Sequence, residues 1–265
     1  MDLLNTILLG IIEGVTEFLP ISSTGHLLIA EHWLGARSDM FNVVIQAGAI
    51  LAVTVIYWRK LMALALNWRV PAVQSYIGKL VLAFLITGVL GLLAKKLGFK
   101  LPETITPIAW AMLIGGFWIL GAEAVAARQA PRTDVSWFTA TVVGLAQIVA
   151  GLLPGTSRSG ATIFAAMLSG TSNRAAATEF SFLVGIPTMY AASLFELHDQ
   201  MKAGAAHEPW SEVALAFVVA TITAFVSVKW LLRYIQSHRF TAFAAYRIVF
   251  GLVLLGLAAS GKGPA

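Results

Sequence analysis

Cysteine is absent from the chain, which excludes disulfides, thiolate nucleophiles and thiolate metal ligands. Charge is scarce as well: Asp, Glu, Lys and Arg make up 12% of the residues against 58% hydrophobic ones, and the mean hydropathy is +0.81. A soluble globule of 265 residues needs more polar surface than this, so the bilayer is the expected solvent. Short alternating strands are missing too, and the long continuous apolar runs favour a polytopic α-helical protein over a barrel. The stretch from Met1 to Leu19 lacks a basic leading region, contains Glu13 and Glu17, and runs into Pro20 instead of a small-residue cleavage site, so no cleavable signal peptide is expected. The net charge of +5 comes from Lys and Arg set singly or in pairs at segment ends, where anionic lipid head groups account for them. Nucleic acid is therefore not an expected partner.

What is present is a set of six apolar segments long enough to cross a core of roughly 30 Å, which takes about 20 helical residues. They run from Met40 to Trp58, Tyr76 to Leu97, Ile105 to Ala126, Ala175 to Leu197, Val213 to Leu232 and Ala242 to Ala259, with anchors such as Trp58-Arg59-Lys60, Lys95-Lys96 and Trp210 at their edges. The polar stretches between them read as short loops, so residues 1–265 form a single integral membrane domain.

Two further stretches, Gly10 to Leu28 and Gly144 to Phe164, break the pattern. Each divides into shorter halves, Leu3 to Leu19 with Ser22 to Leu34 and Val135 to Leu153 with Thr156 to Ser169, joined by a proline and a run of hydroxyl residues. Halves of that length suggest re-entrant helical hairpins that return to the side they left. Setting Pro20 over Pro154 places Gly10 over Gly144, Glu13 over Gln147 and Ser23 over Ser157, and a one-residue gap then brings Gly25 over Gly160. A hairpin followed by three crossings in each half makes an inverted-topology repeat, about 1–134 and 135–265. Arg59, Lys60, Arg69, Arg128, Arg132, Arg174, Arg233 and Arg239 outnumber Arg37, Lys95, Lys96, Lys100, Lys202 and Lys262, so the first group marks the cytoplasmic side. The first hairpin then enters from outside, the second from the cytoplasm, and their tips approach each other inside the membrane.

The candidate chemistry collects at these breaks. Glu13 and Glu17, four residues apart, share a helical face, and two buried carboxylates need a cation, a proton or a basic group between them. They read as a Mg²⁺ or Ca²⁺ site or as a general base beside a metal-bridged phosphate; the plainer reading is a hydrogen-bonded Glu17 and a wet Glu13. In Pro20-Ile-Ser-Ser-Thr-Gly-His26, Ser22 or Ser23 suits a helix cap whose dipole favours an anion, and His26 lies three positions beyond Ser23. The second break, Pro154-Gly-Thr-Ser-Arg-Ser-Gly-Ala-Thr162, adds Arg158, whose fork of donors matches phosphate oxygens unless it serves only as a bridge to an acid. Gly155 and Gly160 let the backbone approach a ligand, and Ser157, Ser159 and Thr162 add donors. Glu179 supports Arg158 or sits at the interface, Arg247 faces the pocket or snorkels outward, and Gly10 with Gly14 reads as close helix packing.

These motifs, together with Glu179-Phe-Ser-Phe-Leu-Val-Gly-Ile-Pro187, Phe41 to Ala49 and Tyr246-Arg247, resemble the bacterial undecaprenyl-diphosphate phosphatases of the bacitracin-resistance type along nearly the whole chain. The resemblance implies hydrolysis of a C55 polyprenyl diphosphate to the monophosphate and inorganic phosphate, recycling the lipid carrier for cell-wall synthesis. It implies Ser23 as nucleophile, Glu17, His26 and Arg158 beside it in catalysis, and Glu13 and Glu17 as ligands of a divalent metal, Mg²⁺ or Ca²⁺; the hydroxyls of the two breaks, Ser22, Thr24, Ser157, Ser159 and Thr162, are expected to contact the substrate. It further implies a multi-pass protein of the bacterial inner membrane with a site opening to the periplasm. The expected partners are a polyprenyl diphosphate lipid and the membrane, with a homodimer allowed. A flippase or ion-coupled carrier of polyprenyl phosphate would use the same acids and Arg158 without cleaving anything.

Overall fold

The apolar runs fold as helices throughout the computed structural model, which describes residues 3–99, 104–203 and 208–260; Lys100 and Lys262, counted above for orientation, lie outside them. In chain order these are α1 (Leu3–Thr16), α2 (Ser23–Leu34), α3 (Asp39–Ile56), α4 (Trp58–Leu66), α5 (Pro71–Lys96), α6 (Ile105–Ala126), α7 (Trp137–Leu152), α8 (Arg158–Leu168), α9 (Arg174–Ala203), α10 (Trp210–Ser237) and α11 (Thr241–Ala259). Six of them, α3, α5, α6, α9, α10 and α11, are long and apolar enough to cross a membrane, and the chain is a multi-pass membrane protein. The starts are locally encoded. Ser38 accepts from Phe41 N at 3.2 Å, Ser136 accepts from Thr139 N at 2.9 Å, and Pro71 opens α5 where its missing N–H costs nothing.

The remaining helices are short. At 1.5 Å per residue, α1 reaches about 21 Å and α8 about 16 Å, both well under the core thickness. They pair as hairpins: Asn5 Nδ2 donates to Leu34 O at 2.8 Å, joining the start of α1 to the end of α2, and Thr139 Oγ1 donates to Ser169 O at 3.0 Å, joining the start of α7 to the end of α8. The segment Trp58-Arg59-Lys60, taken from sequence as an interface anchor, begins a helix of its own, α4, none of whose residues is buried.

Ion pairs sort the helix ends into two groups. Arg37 bonds Glu208 and Glu212, each at 2.9 Å, and Lys95 bonds Asp199 at 2.6 Å, gathering the start of α3, the end of α5, the end of α9 and the start of α10. Arg174 holds Glu123 through bonds of 2.8 and 2.5 Å, and Lys60 holds Glu179 at 2.8 Å, gathering the opposite ends. Glu179 therefore belongs to a half-exposed ion pair with Lys60 and not to Arg158.

Each hairpin packs its first helix against a span from the other half of the sequence. A Cβ added at Gly14 of α1 would meet Thr223 Oγ1 of α10 at 2.0 Å and Ala220 O at 2.5 Å. One added at Gly144 of α7 would meet Ala83 O of α5 at 2.9 Å. Threonines reinforce both seams, Thr223 Oγ1 donating to Gly10 O at 3.4 Å and Thr87 Oγ1 to Gly144 O at 3.1 Å. Around the hairpin tips the core is aromatic, with Phe18 edge-on to Phe182 at 5.2 Å and Phe164 edge-on to Phe240 at 5.1 Å.

Candidate active site

The site is assembled where the two breaks meet. Helix α1 ends at Thr16, yet Glu17 N still donates to Glu13 O at 3.0 Å, so both acids stay on one helical turn and face inward, 2% and 7% exposed. Ser23, the first residue of α2, donates its hydroxyl to Glu17 Oε2, and Gln46 Nε2 of α3 reaches Glu17 Oε1 at 3.5 Å. A serine hydroxyl held against a buried carboxylate is arranged to lose its proton.

The helix starts are built alike. Ser22 accepts from Gly25 N at 3.5 Å and Ser157 accepts from Gly160 N at 3.2 Å. Among the described residues these two caps are the non-glycine positions with positive φ, 72° and 68°. Such backbone costs on the order of 1–3 kcal/mol and persists only where the surroundings enforce it. The cap geometry corrects the sequence alignment: Ser22, not Ser23, corresponds to Ser157, because the second break carries one more residue before its cap, with Gly155 at φ 89°. Ser23 and Arg158 are thus the matching first residues of α2 and α8.

Between them lies a polar cavity of about 50 Å³ lined by Glu17, Ser22, Ser23, Thr24, Gln46, Ser157 and Arg158. The Arg158 guanidinium makes no hydrogen bond or ion pair with a described residue, so the bridge to Glu13 or Glu17 considered from sequence is not formed. Its fork of donors is left for an anion, beside the first N–H groups of two helices.

Other expected site residues sit elsewhere or are already engaged. His26 is not brought to Ser23: Nδ1 is 2.6 Å from Ser22 O, Nε2 is 2.6 Å from Tyr246 Oη, and the ring stacks on Phe250 at 4.7 Å, so α11 draws it away from the cavity. Ser159 donates to Leu19 O at 3.0 Å and contacts Ser157 Oγ at 3.1 Å, tying the second break to the first. Thr162 donates to its own helix at Arg158 O, 2.9 Å. Sequence reading missed Gln46, whose only signal was an amide inside an apolar run. Arg247 is 1% exposed, so it does not snorkel, and among the described residues its guanidinium bonds backbone carbonyls and no acid.

The donor set discriminates between metals. Among the described residues no group of three or more His, Cys, Asp or Glu side chains comes together, so a closed tetrahedral site is not formed. Two carboxylates on one turn beside an anion cavity do fit Mg²⁺ or Ca²⁺, which take oxygen ligands and can share them with substrate phosphates.

Comparison with known proteins places the chain in a family. Residues 6–253 match the family described as bacitracin resistance protein BacA. A protein of Rhizobium etli named undecaprenyl-diphosphatase is 67% identical over 262 residues, covering 98% of this chain and 99% of that one. One of Rhizobium leguminosarum with the same name is 68% identical over 263 residues, with the same shares. A third, from Xylella fastidiosa, is 58% identical over 255 residues, 96% of this chain and 98% of its own. With the match running through both breaks and five spans and into the sixth, the chain belongs to the bacitracin resistance protein BacA family.

Proposed function

We propose that the protein hydrolyses undecaprenyl diphosphate to undecaprenyl phosphate and inorganic phosphate, the activity its relatives' name states. The observation that carries the proposal is the Ser23 hydroxyl bonded to Glu17 across a cavity from the unpaired Arg158. The terminal phosphoryl group lies between them. Glu17 takes the Ser23 proton, Ser23 Oγ bonds to the terminal phosphorus, and the bond to the bridging oxygen breaks with its electron pair leaving on undecaprenyl phosphate. Glu17 passes that proton to the departing undecaprenyl phosphate, then takes one from a water whose oxygen bonds to the phosphoserine phosphorus, and Ser23 Oγ leaves and is reprotonated by Glu17 as inorganic phosphate is released. Arg158 and the N–H groups of α2 and α8 bind the phosphoryl oxygens where charge spreads in the transition state. Glu13 and Glu17 are the residues to hold a divalent cation, which when bound neutralises charge on the diphosphate. Glu17 is the base; His26, committed to Ser22 and Tyr246, orients the break.

The sidedness follows the charge count and the grouping of helix ends. We assign the two hairpins as re-entrant, in halves of inverted topology, within the bacterial inner membrane and with the polar cavity opening to the periplasm. The reciprocal seams at Gly14 and Gly144 and the twin caps support the inverted repeat. There the reaction recycles the lipid carrier of cell-wall synthesis and gives the bacitracin resistance for which the family is named.

The prenyl tail takes an apolar groove of about 600 Å³ that flanks the second break at Thr156 and Gly160 and runs along α6, α7 and α8 past Trp118, Val142 and Val149. Val142 lies 11 residues, about 16 Å of helix, below Leu153 at the tip. Val142→Trp is expected to raise KM for undecaprenyl diphosphate about tenfold, roughly 1.4 kcal/mol, and to leave that for geranyl diphosphate, too short to reach it, unchanged. An equal rise for both would move the tail out of the groove.

The function itself is tested by phosphate release from undecaprenyl diphosphate by the purified protein in detergent. Release that stops with a chelator and returns with Mg²⁺ or Ca²⁺ is expected. No release with metal present would sink the enzyme reading and leave that of a carrier.

A further inference from the structure

Among the described residues one deeply buried guanidinium has no acid partner and lies between the two breaks. Arg247 of α11 is 1% exposed, forms no ion pair with a described residue, and directs its donors at four backbone carbonyls. Nε donates to Met112 O at 3.3 Å and Nη2 to Ala111 O at 3.0 Å, both on α6. Nη1 donates to Pro20 O at 3.3 Å and Nη2 also to Gly155 O at 3.0 Å, and these two belong to the first and second breaks. A break in a helix frees carbonyls, and in hydrocarbon each unpaired carbonyl costs several kcal/mol. One side chain satisfies both breaks at once and refers them to α6. The fold makes room for it: a Cβ at Gly115 would stand 2.1 Å from Nη2 and 2.7 Å from Cζ.

We propose that Arg247 is a positioning residue that fixes the spacing of the two breaks, and through it the placement of Ser23 opposite Arg158. Pro20 O is three residues from Ser23 and Gly155 O three from Arg158, so each bond sits one short link from a group that lines the polar cavity. Lysine cannot substitute, because its three donors radiate from one point and lack the planar fork that spans the two breaks. Ser159, donating to Leu19 O at 3.0 Å, is the second and lighter tie between the breaks. The proposal rests on the phosphatase reading only for its kinetic part.

Because the chain has no cysteine, Thr24→Cys with Thr156→Cys allows spin labels at one site on each break, and the inter-label distance reports their spacing whether or not the protein is an enzyme. A narrow distribution is expected in the labelled parent and a broad one with Arg247→Met or Arg247→Lys. In unlabelled protein, Arg247→Met is expected to lower kcat about 10²-fold, the effect of misplacing reacting groups by about 1 Å, with KM within threefold. Gly115→Ala keeps the charge but displaces the guanidinium, and is expected to reproduce both effects. The double variant Gly115→Ala with Arg247→Met is expected to be no worse than Arg247→Met alone. An unchanged distance distribution in folded Arg247→Met and Gly115→Ala would overturn the proposal, as would additive losses in kcat. Broadened distances with no activity in the parent would instead count against the phosphatase reading.

Discussion

Replacing Arg158 with alanine is expected to lower kcat/KM for phosphate release about 10³-fold, roughly 4 kcal/mol of transition-state stabilisation. The size follows from its surroundings. Arg158 begins α8, lines the polar cavity, and is not neutralised by an acid bonded to it among the described residues, so its whole donor set is available to the phosphoryl oxygens. Loss of a guanidinium from a low-dielectric site removes both charge and geometry. Arg158→Lys is expected to recover the charge without the fork and to fall between the two, about 10²-fold below the parent. Steady-state phosphate release and thermal unfolding of the same preparations check this, the second because a folded but inactive variant separates chemistry from stability. An alanine variant within threefold of the parent would remove Arg158 from the transition state.

Much of this site could be read before any coordinates. The six spans were legible because continuous apolar runs of that length have one solution in a bilayer, and each one found in sequence coincides with a helix within a few residues at most ends. The breaks were legible because Pro20 and Pro154 interrupt such runs beside hydroxyl residues. Their register was not. Counting from the prolines assumes equal spacing to the cap, and only the positive φ of Ser22 and Ser157 identifies the equivalent residues. The pairing of Ser23 with Glu17 was within reach, six residues apart across a turn, whereas the diversion of His26 was not, since its partners Tyr246 and Phe250 lie on α11. Arg247 escaped for the same reason. A lone arginine in an apolar run reads as a snorkelling or pocket residue, and two of its four carbonyl partners, Pro20 O and Gly155 O, are free to accept because two distant helical runs are broken.

The first residue of α2 carries the sharpest remaining expectation. Ser23→Ala is expected to reduce turnover by at least 10⁴-fold, because a covalent nucleophile cannot be replaced by better positioning of what remains. The substitution is conservative for the fold: the cap of α2 is Ser22, and the Ser23 side chain's recorded bond is the one to Glu17, so unfolding temperature is expected to stay close to the parent's. The mechanism predicts more than inactivity. Acid quenching during turnover of undecaprenyl diphosphate labelled in its terminal phosphate should leave label on the peptide containing Ser23, and Glu17→Gln should lower the rate at which that label forms. Direct attack by water, with Glu17 as its base, is the competing chemistry and uses the same cavity. It requires no label on protein and substantial turnover by Ser23→Ala, so the two outcomes divide the mechanisms cleanly. If the alanine variant turns over at the parental rate, the Ser23 to Glu17 bond serves to hold the carboxylate in place, and the nucleophile is the solvent.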